Sequence, residues 1–217
     1  MQALIRASLV FAVCSLPQFA QTSPEAPASQ TLSQHDRDYA MGQLQAGRKE
    51  FVDAVSGLTP EQWNFKAAPD RWSIAECAEH IAVSEDFISG MIKNQILKGP
   101  ATPEKRDQVK VKNDEDLTKA VVDRTQKFKA PEPIVPKKRW ADPAEAVAHF
   151  KEGRDANIAY IDKTQDDLRD HFAPHPAAGL LDGYQWFLLM SAHTERHVAQ
   201  IQEVKTDPKY PKAQPVS

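Results

Sequence analysis

A chain of 217 residues, 41% hydrophobic and 26% charged, has the make-up of a folded protein and is long enough for one well-buried domain. Its formal net charge of −3 gives no basic surplus, which argues against a nucleic-acid partner or an anionic membrane surface.

Residues 1–20 have the shape of a secretory signal peptide. Arg6 is followed by the apolar run Ala7 to Leu16 and then by small and polar residues. Cleavage after Ala20 fits except for Gln18, which stands where a small residue is preferred. The other reading is an uncleaved, partly buried N-terminal helix. The residues before Cys14 fit a lipoprotein signal poorly. With the leader gone, Cys77 is the lone cysteine and no intramolecular disulfide can form. The expectation is an exported protein, periplasmic or secreted, with no stable membrane span in the mature chain.

Residues 21–30 are rich in Pro, Ser and Ala and read as a flexible linker. The domain is expected over 31–206, followed by a loose tail over 207–217. From Thr31 to Leu58 the apolar positions Leu32, Tyr39, Leu44, Phe51, Val52 and Val55 recur at helical spacing. Thr59-Pro60-Glu61 ends that helix and starts a short one carrying Trp63. Ser73, with Glu76 three residues on, makes a capping box for a second main helix that runs to about Leu97, before Gly99-Pro100.

Between Thr102 and Trp140 the chain is a long crossover rich in Lys, Asp, Glu and Pro. It holds one helical piece near Asp116 to Phe128 and an extended stretch at 131–136, and the crossover as a whole reads as partly exposed and able to cover a pocket mouth. Asp142-Pro143 opens the third main helix, with Pro suited to the first helical position. The Pro and Gly content of 170–184 reads as a loop without regular structure. The fourth main helix follows. No strand pattern of weight is present, so the four long amphipathic helices imply an all-α four-helix bundle.

The fourth helix carries the chemistry. His193 and His197 lie one turn apart on the stripe that also holds Trp186, Leu189, Met190 and Gln200, the spacing a helix uses to offer two imidazoles to one metal ion. His80, on the second helix, is the candidate third ligand of an open site. The bland reading of the pair is two satisfied core histidines. Glu195 sits two residues after His193, roughly 200° round the helix, and is not taken as a catalytic base. Glu76, one turn before His80, is a weak catalytic candidate whose capping role explains it at least as well. Cys77 reads as packing, Trp72 and Trp186 as core anchors, and His35 and His149 as surface or boundary residues.

Around these positions the chain resembles the DinB superfamily. The likeness rests on WSIAECAEHI at His80 and on FAPHPAAGLLDGYQWFLLMSAHTERHVAQI at the end, and spans about Ser33 to Val204. It implies a bundle of up-down-down-up course with the long crossover between the second and third main helices. It also implies one divalent metal ion held by His80, His193 and His197, and a homodimer. In the family pattern the loop from His175 to Gly179 is structural. Related members include thiol S-transferases, maleylpyruvate isomerases and metal-dependent hydrolases.

Neutral imidazoles suit Zn²⁺, Ni²⁺, Fe²⁺ and Mn²⁺ and leave positions open for water or substrate. Such an ion lowers the pKa of water to ~7, which serves hydrolysis, or it activates a thiol. Small-thiol cofactors are scarce outside the cytosol, so export favours a metal-dependent hydrolase acting on a small-molecule substrate. A thiol S-transferase and a non-catalytic metal-binding or stress-associated protein are the alternatives.

Overall fold

The first helix, α1 (Gln34–Val55), starts where Ser33 and Asp36 exchange side-chain-to-backbone hydrogen bonds, and ends at Ser56 and Gly57, whose φ of 69° few other residues adopt. The computed structural model describes residues 31–212, so the expected signal peptide 1–20, the linker 21–30 and residues 213–217 of the tail lie outside the described residues. A short α2 (Pro60–Asn64) carries the buried Trp63. In α3 (Ile74–Met91) the Ser73/Glu76 box is formed in both directions, and a π-helical turn over 92–96 continues it toward Gly99.

Asn113 caps α4 (Asp114–Val122) by accepting from the amides of Glu115 and Asp116. That cap explains why the crossover helix starts before the expected Asp116; it ends well short of Phe128, which is exposed. Asp142 caps α5 (Pro143–Lys163), with Pro143 in its first turn. The last helix, α6 (Gly183–Lys205), begins with a capping box between Asp182 and Gln185. Among the described residues no helix is long and apolar enough to cross a membrane.

Contacts between the four long helices define their course. Ser191 donates to the Gln43 carbonyl and Lys205 to the Ala54 carbonyl, so α6 runs parallel to α1. Arg154 pairs with Glu85 and Ser89 donates to Asn157, so α5 runs parallel to α3. Arg37 near the start of α1 reaches the carbonyls of Ile161 and Thr164 at the end of α5, which sets these two pairs in opposite directions. The result is the up-down-down-up bundle, crossed over between α3 and α5. One apolar cluster, with Leu44, Ile88, Ile92, Ile161 and Phe187, fills one end; a second, with Phe51, Trp63, Ile81, Phe150 and Ile201, fills the other. Full burial of each such side chain contributes about 1.5–3 kcal/mol.

Between the clusters lies a polar core. Arg154 and Glu85, both essentially inaccessible, form a two-pronged pair at 2.8 and 2.7 Å. Arg154 also donates to the Leu44 carbonyl and Thr194, and Asn157 donates to Glu85, so the charges are matched by hydrogen bonds. Gly47 makes room for this: a Cβ there would stand 3.2 Å from both the Arg154 guanidinium and the Ser191 hydroxyl.

Two expectations need correction. Residues 172–182 are not an irregular loop: β1 (Phe172–His175) pairs antiparallel with β2 (Gly179–Asp182), His175 facing Gly179 and Phe172 facing Asp182. Each strand of a two-stranded hairpin keeps a free edge, which is where a residue like Pro174 is tolerated, and Gly179 takes the φ of 79° that closes the turn. The segment from Asp207 to Lys212, expected to be loose, lies against α2. Tyr210 packs edge-on against Phe65, and Gln62 donates to the Pro211 carbonyl at 2.9 Å.

Candidate metal centre

The antiparallel pairing of α3 and α6 brings His80 opposite His193 and His197. One ring nitrogen from each histidine lies within 4.8 Å of the other two. The Nε2 atoms of His80 and His193 are 3.1 Å apart, and the ring centroids are separated by 4.4 to 4.9 Å. His80 is buried; His193 and His197 are partly exposed, so the cluster has an open side.

Two of the rings are aimed by their second nitrogen. His80 donates from Nδ1 to the Ile134 carbonyl at 2.7 Å, and His197 from Nδ1 to Gln200 Oε1 at 3.0 Å. Each bond assigns the proton to Nδ1 and leaves the Nε2 lone pair facing the cluster, as in metal-bound histidines. Gln200 is itself held by Arg124, which donates to the same Oε1 at 3.3 Å and grips Glu203 with two further bonds. Trp72 walls the site, its ring 4.8 Å from His80 and 6.0 Å from His197.

The electrostatics favour neutral imidazoles. Burial lowers the pKa of His80, partly offset by its bond to Ile134. Burial and then the neighbouring rings push His193 well below the ordinary value, and burial with the His80 charge pushes His197 down to about 3. Neutral nitrogens this close repel through their lone pairs unless a proton or a cation lies between them. Tetrahedral zinc with ~2.0–2.1 Å bonds sets its nitrogens roughly 3.3 Å apart. The donor set therefore fits one divalent ion after small side-chain adjustments.

The remaining candidates fall elsewhere. Glu76 spends its carboxylate on the Ser73 amide, at 2.8 Å, and on Lys66, at 2.9 Å. Cys77 is fully buried, and burial pushes its thiol up to about 12, so it packs rather than reacts. Glu195 points toward α1, where burial and then Glu50 raise its pKa. His171 donates to the Asp167 carbonyl, while His175 accepts from the amides of Ala177 and Ala178 and packs against Trp186, a structural part in the hairpin. His149 pairs with Asp86 on the surface, and His35 is exposed. Among the described residues no carboxylate joins the three rings.

A family model of the DinB superfamily matches residues 43–201, which include all three histidines. The chain belongs to the DinB superfamily. It is 24% identical over 158 residues to the uncharacterized protein YuaE of Bacillus subtilis (strain 168), covering 73% of this chain and 92% of that one. Among solved structures it is similar to YfiT from Bacillus subtilis, described as a probable metal-dependent hydrolase with an unusual four-helix bundle topology. The TM-score is 0.51 at 15% identity, with 83% of this chain and 92% of YfiT covered. That likeness supports the DinB-type fold and no more.

Sequence reasoning missed several groups around the DinB histidines. Trp72, read as a core anchor, is a half-buried wall of the site. The Ile134 carbonyl and Arg124 come from the crossover, and no periodicity tells which crossover residue will face α3 or α6. Glu79 was also passed over: it is a buried carboxylate beside His80.

Proposed function

We propose that this DinB-superfamily protein holds one divalent metal ion at His80, His193 and His197 and acts as a metal-dependent hydrolase on a small substrate. The observation that carries the reading is the convergence of three ring nitrogens, two of them aimed inward by protein acceptors on the opposite nitrogen. The reaction class is carried over by analogy from YfiT, similar in fold and described as a probable metal-dependent hydrolase. An ion held by three imidazoles supplies Lewis acidity and brings the pKa of water toward ~7. The chain's own part is to keep the rings neutral through burial, to orient them through Ile134 and Gln200, and to leave His193 and His197 partly exposed.

The leader-like segment 1–20 supports an exported protein, periplasmic or secreted, where hydrolysis needs no small-thiol cofactor. Zn²⁺, Ni²⁺, Fe²⁺ and Mn²⁺ all match the nitrogen set.

Elemental analysis of the tag-free protein, purified without added metal, tests the site. About one ion per chain, lost in His80→Ala and His193→Ala while the helical spectrum persists, is the expected result. No ion after incubation with each of the four metals would overturn it. Hydrolysis of a panel of small esters and amides by the loaded protein then tests the reaction. Turnover of electrophiles only with an added small thiol would instead indicate the S-transferase, and metal binding with no turnover a non-catalytic protein.

A further inference from the structure

The carboxylate next in sequence to His80 is almost wholly enclosed, and every partner it has lies in the crossover. Glu79 is 3% exposed and accepts from the Lys137 amide at 2.6 Å, the Arg139 amide at 3.0 Å and the Arg139 guanidinium at 2.5 Å. Between those amides stands Lys138 at φ 60°, a left-handed conformation uncommon for a residue with a long side chain. A left-handed residue turns successive amides toward one point and makes a concave nest for an anion. Here the anion is the Glu79 carboxylate. A strained backbone persists only where its surroundings hold it, and this carboxylate is what sits in the nest.

The nest lies three residues after Ile134, the residue whose carbonyl receives the His80 Nδ1 proton. Pro131, Pro133 and Pro136 restrict φ along this strap and make it a stiff segment. Ile134 is buried as well, so the strap is fastened at two points, one on each side of Pro136. We propose that Glu79 is a positioning residue for the metal centre: by gripping the Lys137–Arg139 turn it holds the Ile134 carbonyl where it fixes His80 with Nε2 toward His193 and His197. Glu79 touches neither substrate nor metal and acts through the strap. The part of the proposal that concerns metal affinity rests on the metal-site reading above; the part that concerns the His80 tautomer does not.

The test compares the wild type with Glu79→Ala, Arg139→Met and Glu132→Gln. Two readouts are taken: ¹⁵N chemical shifts of the histidine rings in the metal-free protein, and Zn²⁺ affinity by competition with a chromophoric chelator. The wild type is expected to show His80 as the single Nδ1–H tautomer. Glu79→Ala shifts His80 toward a tautomer mixture and weakens Zn²⁺ binding by about 10- to 100-fold, the range for losing an outer-sphere partner. His197, held by Gln200 outside the strap, keeps its tautomer in the same sample.

Arg139→Met, which removes one of the three bonds to Glu79 and keeps the turn, gives a smaller change in the same direction, and it carries the test if Glu79→Ala does not fold. Glu132→Gln, which alters a surface pair with Lys137 in the same strap, leaves both readouts at the wild-type value. A folded Glu79→Ala or Arg139→Met with an unchanged His80 tautomer and unchanged affinity would overturn the proposal. If the wild type binds none of Zn²⁺, Ni²⁺, Fe²⁺ and Mn²⁺, the metal reading fails, and the ¹⁵N shifts still decide whether Glu79 positions His80.

Discussion

His197 shows how a single side chain is prepared for a role. Its Nδ1 proton is given to Gln200, its ring packs against His80 and Trp72, and burial holds it neutral far below the ordinary titration range. Gln200 thus stands one step behind the cluster, and replacing it frees a ring without removing a ligand. Gln200→Ala is expected to weaken Zn²⁺ binding by about 10-fold while leaving the fold intact, measured by chelator competition beside thermal melting. An affinity equal to wild type would show that packing against His80 and Trp72 suffices to aim His197. The three histidines were legible in the sequence because helical spacing and a family motif mark them. Gln200 was visible as a polar residue three positions after His197 on the same stripe, but its second partner, Arg124 of the crossover, could not be read without the fold.

At the scale of elements, the polar core and the strap make different demands. Arg154→Met leaves Glu85 buried without its counter-charge, and breaking a buried pair from one side costs about 3–5 kcal/mol. Urea unfolding should show that loss with an unchanged slope. A far smaller loss would mean that water reaches Glu85 in the variant. In the strap, Lys138 pays for its left-handed backbone, a strain of roughly 1–2 kcal/mol for an L-residue. Lys138→Gly removes it and is expected to stabilise the protein by about 1 kcal/mol, less the added freedom of the unfolded chain. Destabilisation on the same measurement would show that the Lys138 side chain makes a contribution larger than the backbone strain. Helix starts at Ser73 and Asp142 were legible because caps are local chemistry. The hairpin at 172–182 was not, because strands of four residues that include Pro174 carry too short a pattern, and their pairing depends on the turn at Gly179.

For the whole molecule the clearest consequence is pH dependence. The folded-state pKa values of His80, His193 and His197 all lie below the ~6.5 of an unfolded histidine. As pH falls below ~6.5 the unfolded chain binds protons that the folded chain refuses, so stability present above that pH is lost progressively toward the folded value, about 3 for His197. Between pH 7 and pH 5, the window set by the unfolded pKa of ~6.5, the melting temperature of the metal-free wild type should therefore drop relative to that of His193→Ala, against the opposite contribution of Asp182, whose carboxyl burial pushes up to about 6. Equal slopes would mean that other groups dominate this range. Above it, Zn²⁺ at 100 times its dissociation constant should add about 2.7 kcal/mol of stability.

Taken by itself, the sequence determined the helical periodicity, the caps at Ser73 and Asp142, and the one-turn spacing of His193 and His197. Each is a relation between residues a few positions apart, governed by helix geometry and local hydrogen bonding. Together with the family motif it was enough to name the bundle and the three histidines. Only the tertiary structure decided that Ile134 and Arg124 of the crossover reach the site, that Trp72 walls it, that Glu79 sits in a nest of amides, and that Asp207 to Lys212 dock on α2. Those contacts join residues far apart in sequence through irregular backbone. Packing against α2, α3 and α6 selects their positions, and a one-dimensional pattern carries no trace of it.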